Sequence, residues 1–125
     1  MFIFLSLLSQ NRVILSEADK VLKEIEASTE KKFLPIIGPD RGQILIEVIR
    51  KICPRRILEI GTLRGYSAIL MAKELDSCAH ITTIEIRAGE AEQARENIER
   101  AKVPPKTDVI VGDAIRVLPR LTGEI

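Results

Sequence analysis

With 125 residues, of which 46% are hydrophobic and 30% charged, the chain has the makings of one globular domain, and disorder is excluded. Its 19 basic and 18 acidic side chains leave a net charge of +1, which gives no support to nucleic-acid or membrane binding. Aromatic residues make up only 3% and Trp is absent, which argues against a stacking platform for single strands.

The first eight residues, MFIFLSLL, are apolar. They lack a basic leader and an A-x-A-like cleavage site, and they are too short to span a bilayer. They are expected to pack on the domain or on a partner chain. Residues 11–15 form a connector. Ser16 then reads as a helix N-cap, with Asp19 three residues on as its capping-box partner. Ala18, Val21, Leu22 and Ile25 recur at helical spacing, so a first helix is expected over 17–28. Pro35, Gly38 and Pro39 break the chain into a loop over 29–40. A second helix is expected over 41–52, capped by Asp40, with Ile44, Leu45, Val48, Ile49 and Ile52 as its apolar face. Pro54 stops it.

A short apolar run over 56–60 follows and reads as a strand buried on both faces. The chain breaks at Gly61 and resumes as a helix over 66–75. A turn leads to a second strand over 81–86, then a helix over 89–101 that ends at Pro104-Pro105. A third strand covers 108–111, and a last helical piece over 114–121 is interrupted by Pro119. Strands alternating with helices predict an α/β fold with a parallel sheet and right-handed crossovers. Three strands make half of a doubly wound sheet, and a fourth strand would be expected to begin where the sequence ends.

Cys53 and Cys78 are 25 residues apart and lack metal-ligand spacing. They are expected to be free thiols in a reducing compartment, the cytoplasm. His80 is the single histidine, so any Ser-His-Asp or Cys-His centre would have to use it. Its place just before a strand points to a structural or solvent-facing role.

The chemistry gathers at the strand ends, because ligands of open parallel sheets sit at the carboxyl ends of the strands. The first strand delivers Glu59 and the loop from Gly61 to Gly65. Glycine lets the backbone come close to a ligand and take positive φ. The helix that follows turns unpaired N–H groups toward the same spot. The second strand delivers Glu85, at the interval from the loop where an acid meets ribose hydroxyls. The third delivers Gly112 and Asp113, where an acid can accept from an adenine amino group. The loop is G-x-x-x-G and not the G-x-G-x-x-G of dinucleotide enzymes. With Arg64 and its neighbours between the glycines, a pyrophosphate would be crowded. One adenosine with a small zwitterionic tail fits better: the carboxylate at the N–H groups near Tyr66 and Ser67, the cationic centre beside Glu59. That description matches S-adenosylmethionine.

These segments resemble those of class I S-adenosylmethionine-dependent methyltransferases, within them the O-methyltransferase family of catechol and caffeoyl-CoA O-methyltransferases. The resemblance rests on GPDRGQIL at 38–45, ILEIGTLRGYSA at 57–68, ITTIE at 81–85 and VGDA at 111–114, and runs from about Ile37 to Leu121. It implies a Rossmann-like three-layer α/β/α methyltransferase fold, truncated to about three parallel strands with two N-terminal helices. Residues 1–36 would be an N-terminal extension and helix, and 37–125 a partial S-adenosylmethionine-binding domain. It implies that Glu59, Gly61 and Thr62 line the methionine end, with Gly65, Tyr66 and Ser67 at the carboxylate. Glu85 would take the ribose, and Gly112, Asp113 and Ala114 would border the adenine. Ile37 would touch the cofactor through its backbone. The family's divalent metal (Mg) and its D-A-x-K-like ligand motif have no counterpart in this sequence, so the chain resembles the cofactor-binding half of an O-methyltransferase and its catalytic residues stay unassigned. A homo-oligomer or a complementing chain is expected, without nucleic acid or membrane. The alternative is a non-catalytic, oligomerising interaction protein derived from a methyltransferase. A dinucleotide-dependent oxidoreductase is disfavoured by the missing third glycine and the Gly-Tyr-Ser ending.

Overall fold

The computed structural model describes residues 15–32 and 34–121. The apolar residues 1–8 lie outside that range, as does nearly all of the expected connector. The described chain runs α1 (Glu17–Ser28), α2 (Gly38–Ile52), β1 (Arg56–Ile60), α3 (Tyr66–Ala72), β2 (His80–Glu85), α4 (Ala88–Ala101), β3 (Lys106–Val111) and the short α5 (Ala114–Val117), followed by a 3-10 turn over Leu118–Arg120.

Helix α1 starts where expected. The Ser16 hydroxyl accepts from the Asp19 N–H at 3.1 Å, and the Asp19 carboxylate accepts from Ser16 in return. Helix α2 differs from expectation. It begins at Gly38 with Pro39 in its first turn, and Ile37, not Asp40, is the cap. Proline's fixed φ and missing N–H suit that first turn. Helix α3 ends at Ala72 rather than Leu75. It passes into turns closed by Glu74 N–H to Met71 O and Leu75 N–H to Ala72 O. Strands β2 and β3 each begin before the expected residue, because parallel pairing carries the ladder back to His80↔Lys106.

The sheet is parallel with order β1-β2-β3. Right-handed crossovers between neighbouring strands put α3 and α4 on one face of it. Ile57 and Ile81, paired across β1 and β2, face Ile49 of α2 and Met71 and Ala72 of α3. Along β1, half-buried Ile57 and Glu59 alternate with exposed Arg56, Leu58 and Ile60. The expectation that β1 is buried on both faces is therefore corrected. The period-2 pleat sends alternate side chains to opposite faces, and among the described residues only one face of β1 is covered. The architecture is an open, truncated Rossmann-like sheet.

A second cluster joins α1 to α3 and α4. Ala18, Val21, Leu22 and Ile25 of α1 pack with Tyr66, Ile69 and Leu70 of α3, Ile46 of α2 and Ala101 of α4. Polar pairs hold the same interface. Lys73 reaches Asp19 at 2.6 Å, Arg100 meets Glu24, and the Tyr66 hydroxyl donates to Glu26 at 3.0 Å. The Lys73 contact holds the Asp19 carboxyl below its usual range. Burial, with the Glu26 charge added, pushes the Tyr66 hydroxyl well above its usual range, so Tyr66 stays a donor. Tyr66→Phe is expected to cost about 1.5 kcal/mol in urea unfolding, the low end for a hydrogen bond to a carboxylate. An unchanged midpoint would show that the pair contributes nothing.

Helix α2 packs by a stripe that only partly matches its periodicity: Leu45 and Ile49 face the core as expected. Gly42, Ile46 and Ile49 are buried, while Ile44 (63% exposed), Val48 and Ile52 (64%) face outward. Gly42 explains the rotation. A Cβ there would lie 2.7 Å from Leu70 Cδ2, so α2 meets α3 at its smallest residue, flanked by Ile46 and Ile49, and Ile44 and Ile52 are left on the other side.

Candidate functional site

The carboxyl ends of all three strands open into one crevice of about 220 Å³, lined by Ile60, Gly61, Ile84, Glu85, Ile86, Gly112, Asp113 and Ala114. Five of the residues singled out in the sequence meet there: Gly61, Glu85, Gly112, Asp113 and Ala114.

The loop from β1 to α3 is shaped by left-handed backbone at Gly61 (φ 87°), Leu63 (φ 50°) and Gly65 (φ 86°). Gly61 N–H donates to Ile84 O at 2.8 Å, and Gly65 N–H to Thr62 O at 2.9 Å. Gly65 also lies close to α4, where a Cβ would come within 3.4 Å of Ala94 O. Asn97, buried in α4, donates to Arg64 O at 2.9 Å and holds the loop from behind. Arg64 itself turns toward Glu90 at 3.5 Å. Its side chain therefore does not supply the crowding expected of it.

Glu85 is the hinge of the crevice. It is 6% exposed, and each of its oxygens accepts one backbone N–H: Oε2 from Leu63 at 2.8 Å and Oε1 from Arg87 at 3.1 Å. A carboxylate has about four acceptor positions, so two remain for a ligand's hydroxyls. Gly112 N–H donates to Glu85 O at 2.9 Å, and a Cβ at Gly112 would lie 2.7 Å from Val117 Cγ2. Asp113 caps α5, accepting the Ile115 N–H at 3.0 Å through one oxygen.

Beneath the loop lies a buried polar chain. Glu59 accepts from Thr83 Oγ1 at 2.7 Å on one oxygen and from Ser67 Oγ on the other. The Thr83 and Thr62 hydroxyls are also in contact, and both threonines are buried. Ser67 and Thr62 thus tie the loop to the sheet through Glu59 and Thr83. What Ser67 can still offer the crevice lies at the start of α3, whose first N–H groups have no helical acceptor; the first bond there is Ile69 N–H to Gly65 O. The Tyr66 ring is 3% exposed in the core, leaving only its backbone for a ligand. Ile37 packs against the same core cluster.

Thr83, Asn97, Leu63, Ile60 and Ile86 were not singled out in the sequence. Thr83 pairs with Glu59 in register, so a strand alignment would have found it. Asn97 interrupts the alanine face of α4, a signal the spacing already carried. His80 opens β2 at the opposite end from the crevice and meets Asp108 at 2.7 Å, which removes it from any nucleophilic centre there.

The model of the O-methyltransferase family matches residues 12–125. The chain belongs to the O-methyltransferase family. It is 36% identical over 107 residues to a catechol O-methyltransferase of Mycobacterium tuberculosis, covering 84% of this chain and 49% of that protein. With the catechol O-methyltransferase of Mus musculus it shares 31% over 106 residues, 84% of this chain and 40% of the other. Among solved structures, the O-methyltransferase from Bacillus cereus in complex with SAH superposes with a TM-score of 0.74 at 32% identity, over 96% of this chain and 54% of that one. The O-methyltransferase TomG from Streptomyces achromogenes, solved with SAM, gives 0.69 at 31%, over 94% and 52%. The chain therefore spans about half the length of these O-methyltransferases, or less.

Among the described residues no group of three or more His, Cys, Asp or Glu side chains could hold a metal ion. The described residues therefore do not fit the divalent metal that the resemblance implies. Nor is any helix among the described residues long and apolar enough to cross a membrane.

Burial pushes the Glu59 carboxyl above its ordinary 4.5, and the Glu85 charge adds to this while the Ser67 and Thr83 donors oppose it. A carboxyl raised by folding stabilises the fold below its unfolded value and loses that contribution as pH climbs through the folded value. Wild type is therefore expected to lose stability relative to Glu59→Gln as pH rises above 4.5. Denaturation curves of both proteins across that range test it, and parallel pH profiles would show that Glu59 is not strained by its burial.

Proposed function

We propose that the chain is the S-adenosylmethionine-binding half of an O-methyltransferase that transfers a methyl group to an acceptor hydroxyl. The observation that carries this is the crevice, where Glu85 keeps two acceptor positions beside the left-handed loop of Gly61 and Gly65. The relatives solved with SAH and SAM share its fold. S-adenosylmethionine supplies an electrophilic methyl group when bound. Glu85 would accept the ribose hydroxyls. Ile60 and Ile86 would wall the nucleoside with apolar surface, and Gly112, Asp113 and Ala114 would border the adenine. The start of α3, at Tyr66 and Ser67, would take the carboxylate, and Ile37 would contribute backbone. Glu59, with Gly61 and Thr62, would face the cationic end. Burial makes ionisation of Glu59 costly, and a cation beside it would favour the charged form.

Calorimetric titration with S-adenosylhomocysteine tests the reading. Saturable one-to-one binding is expected. A folded chain that binds neither S-adenosylhomocysteine nor S-adenosylmethionine would overturn it.

A second reading is favoured by the surface. Ile44, Val48 and Ile52 on α2, with Leu58 and Ile60 on the open face of β1, are exposed large apolar groups. Exposed apolar groups of that kind mark an interaction site, and among the described residues β1 is an edge strand of the kind that invites pairing. The chain would then act as a partner-binding protein, forming a homo-oligomer or joining a complementing chain. The mass in solution discriminates: a strict monomer that binds cofactor leaves only the first reading.

A further inference from the structure

At the end of the sheet opposite the crevice lies a larger cavity, of about 390 Å³, lined by Cys53, Pro54, Arg55, Glu74, Leu75, Asp76, Cys78 and Ala79. Both cysteines of the chain stand on its wall, and both are exposed, free thiols. The topology brings them there. His80 N–H donates to Arg55 O at 2.8 Å, so the segments entering β1 and β2 run side by side. Cys53 lies two residues before Arg55, and Cys78 two residues before His80. The two cysteines therefore stand on neighbouring segments, at the same end of the sheet and on the wall of one cavity.

Neither thiol is committed to the fold. Cys53 caps α2 in left-handed backbone (φ 48°), a conformation few non-glycine residues hold, and its Sγ donates to Arg50 O at 3.1 Å. Cys78 sits in the turn before β2, where its N–H donates to Asp76 Oδ1 at 2.8 Å. No core contact depends on either sulfur.

We propose that Cys53 and Cys78 form a dithiol site that low-molecular-weight disulfides close into an intramolecular disulfide. One thiolate attacks the sulfur–sulfur bond of oxidised glutathione and displaces a glutathione thiolate. The second thiolate then attacks the protein sulfur of the mixed disulfide and displaces the other glutathione. Two protein S–H bonds become one S–S bond, and the oxidant takes up the two electrons as two glutathione molecules. The new bond would tie the end of α2 to the turn that feeds β2, beside the Arg50–Glu74 ion pair (2.9 Å) that already joins the same segments. Because Cys53 is the C-cap of α2, oxidation would fix that end of the helix to the sheet.

The test treats the full chain with oxidised glutathione and maps its peptides under non-reducing conditions. A Cys53–Cys78 cross-linked peptide pair is expected, in a monomer lighter by two hydrogens, and dithiothreitol should reverse it. Cys53→Ser and Cys78→Ser should each stop at the glutathione adduct. Closing a loop of this length should raise the wild-type melting temperature by about 10 °C and leave both variants unmoved. Stable adducts on both cysteines of the wild type, or a disulfide between two chains, would overturn the proposal, as would the absence of any reaction. None of these results depends on whether the crevice binds S-adenosylmethionine.

Discussion

Glu85→Ala is expected to weaken S-adenosylhomocysteine binding by about 100-fold. Two hydrogen bonds from ribose hydroxyls to a charged acceptor are lost, each worth about 1.5 kcal/mol at the low end. The same carboxylate also accepts from Leu63 and Arg87 N–H. Its removal therefore leaves two backbone donors without a partner and frees the loop that positions the rest of the crevice. Glu85→Gln separates the two effects. The amide keeps one acceptor oxygen but sets an NH₂ group against one of the N–H donors, so binding should fall between wild type and alanine. Calorimetry gives the affinities, and thermal melts confirm that each variant is folded at the titration temperature. An alanine variant that binds within about threefold of wild type would remove Glu85 from the site.

That one side chain shows how far the sequence could be read. Glu85 was legible because it ends an apolar run at a set interval from a glycine loop, and both features are local. Ser16 and Asp19 were legible for the same reason, since a capping box is complete within four residues. What the sequence did not disclose depends on partners distant along the chain. Tyr66 was placed at the crevice by its backbone N–H alone, and nothing local disclosed that its hydroxyl is taken by Glu26, forty residues upstream. The face of α2 was only partly legible, Leu45 and Ile49 packing inward as expected, because helical periodicity counts apolar residues and is blind to fit: Gly42 decides the contact with Leu70, and a glycine carries no hydrophobic signal. Thr83 was overlooked because its role comes from lying opposite Glu59 in the β1–β2 register. The meeting of Gly61, Glu85, Gly112 and Asp113 in one crevice follows from topology, which the alternation of strands and helices already announced.

The loop, the polar chain below it and α3 form one mechanical unit. Glu59 and Thr83 anchor Ser67 and Thr62 to the sheet, Asn97 holds Arg64 from α4, and the helix that continues the loop is clamped by α1. Loop geometry should therefore be only as secure as the seating of α3.

Ile69 is the residue to remove. It is 0% exposed and packs among Val21, Leu22 and Ile25 of α1 and Ile46 of α2. Its N–H makes the first helical bond after the loop, to Gly65 O. Ile69→Ala is expected to destabilise the fold by about 4 kcal/mol, because the lost apolar contact is joined by a cavity that rigid neighbours cannot fill. In a chain of this size that lowers the melting temperature by about 15 °C. It consumes a large part of the roughly 5–15 kcal/mol that holds a domain together. Ile69→Val, which removes one methyl group, should cost about 1 kcal/mol. The side chain faces α1 and not the crevice, so the folded fraction should still bind S-adenosylhomocysteine with little change in affinity once stability is accounted for. Urea titrations with and without ligand separate the two quantities. A loss below about 1 kcal/mol for alanine would mean that α1 does not clamp α3. A large loss of intrinsic affinity at preserved stability would mean that Ile69 shapes the loop directly.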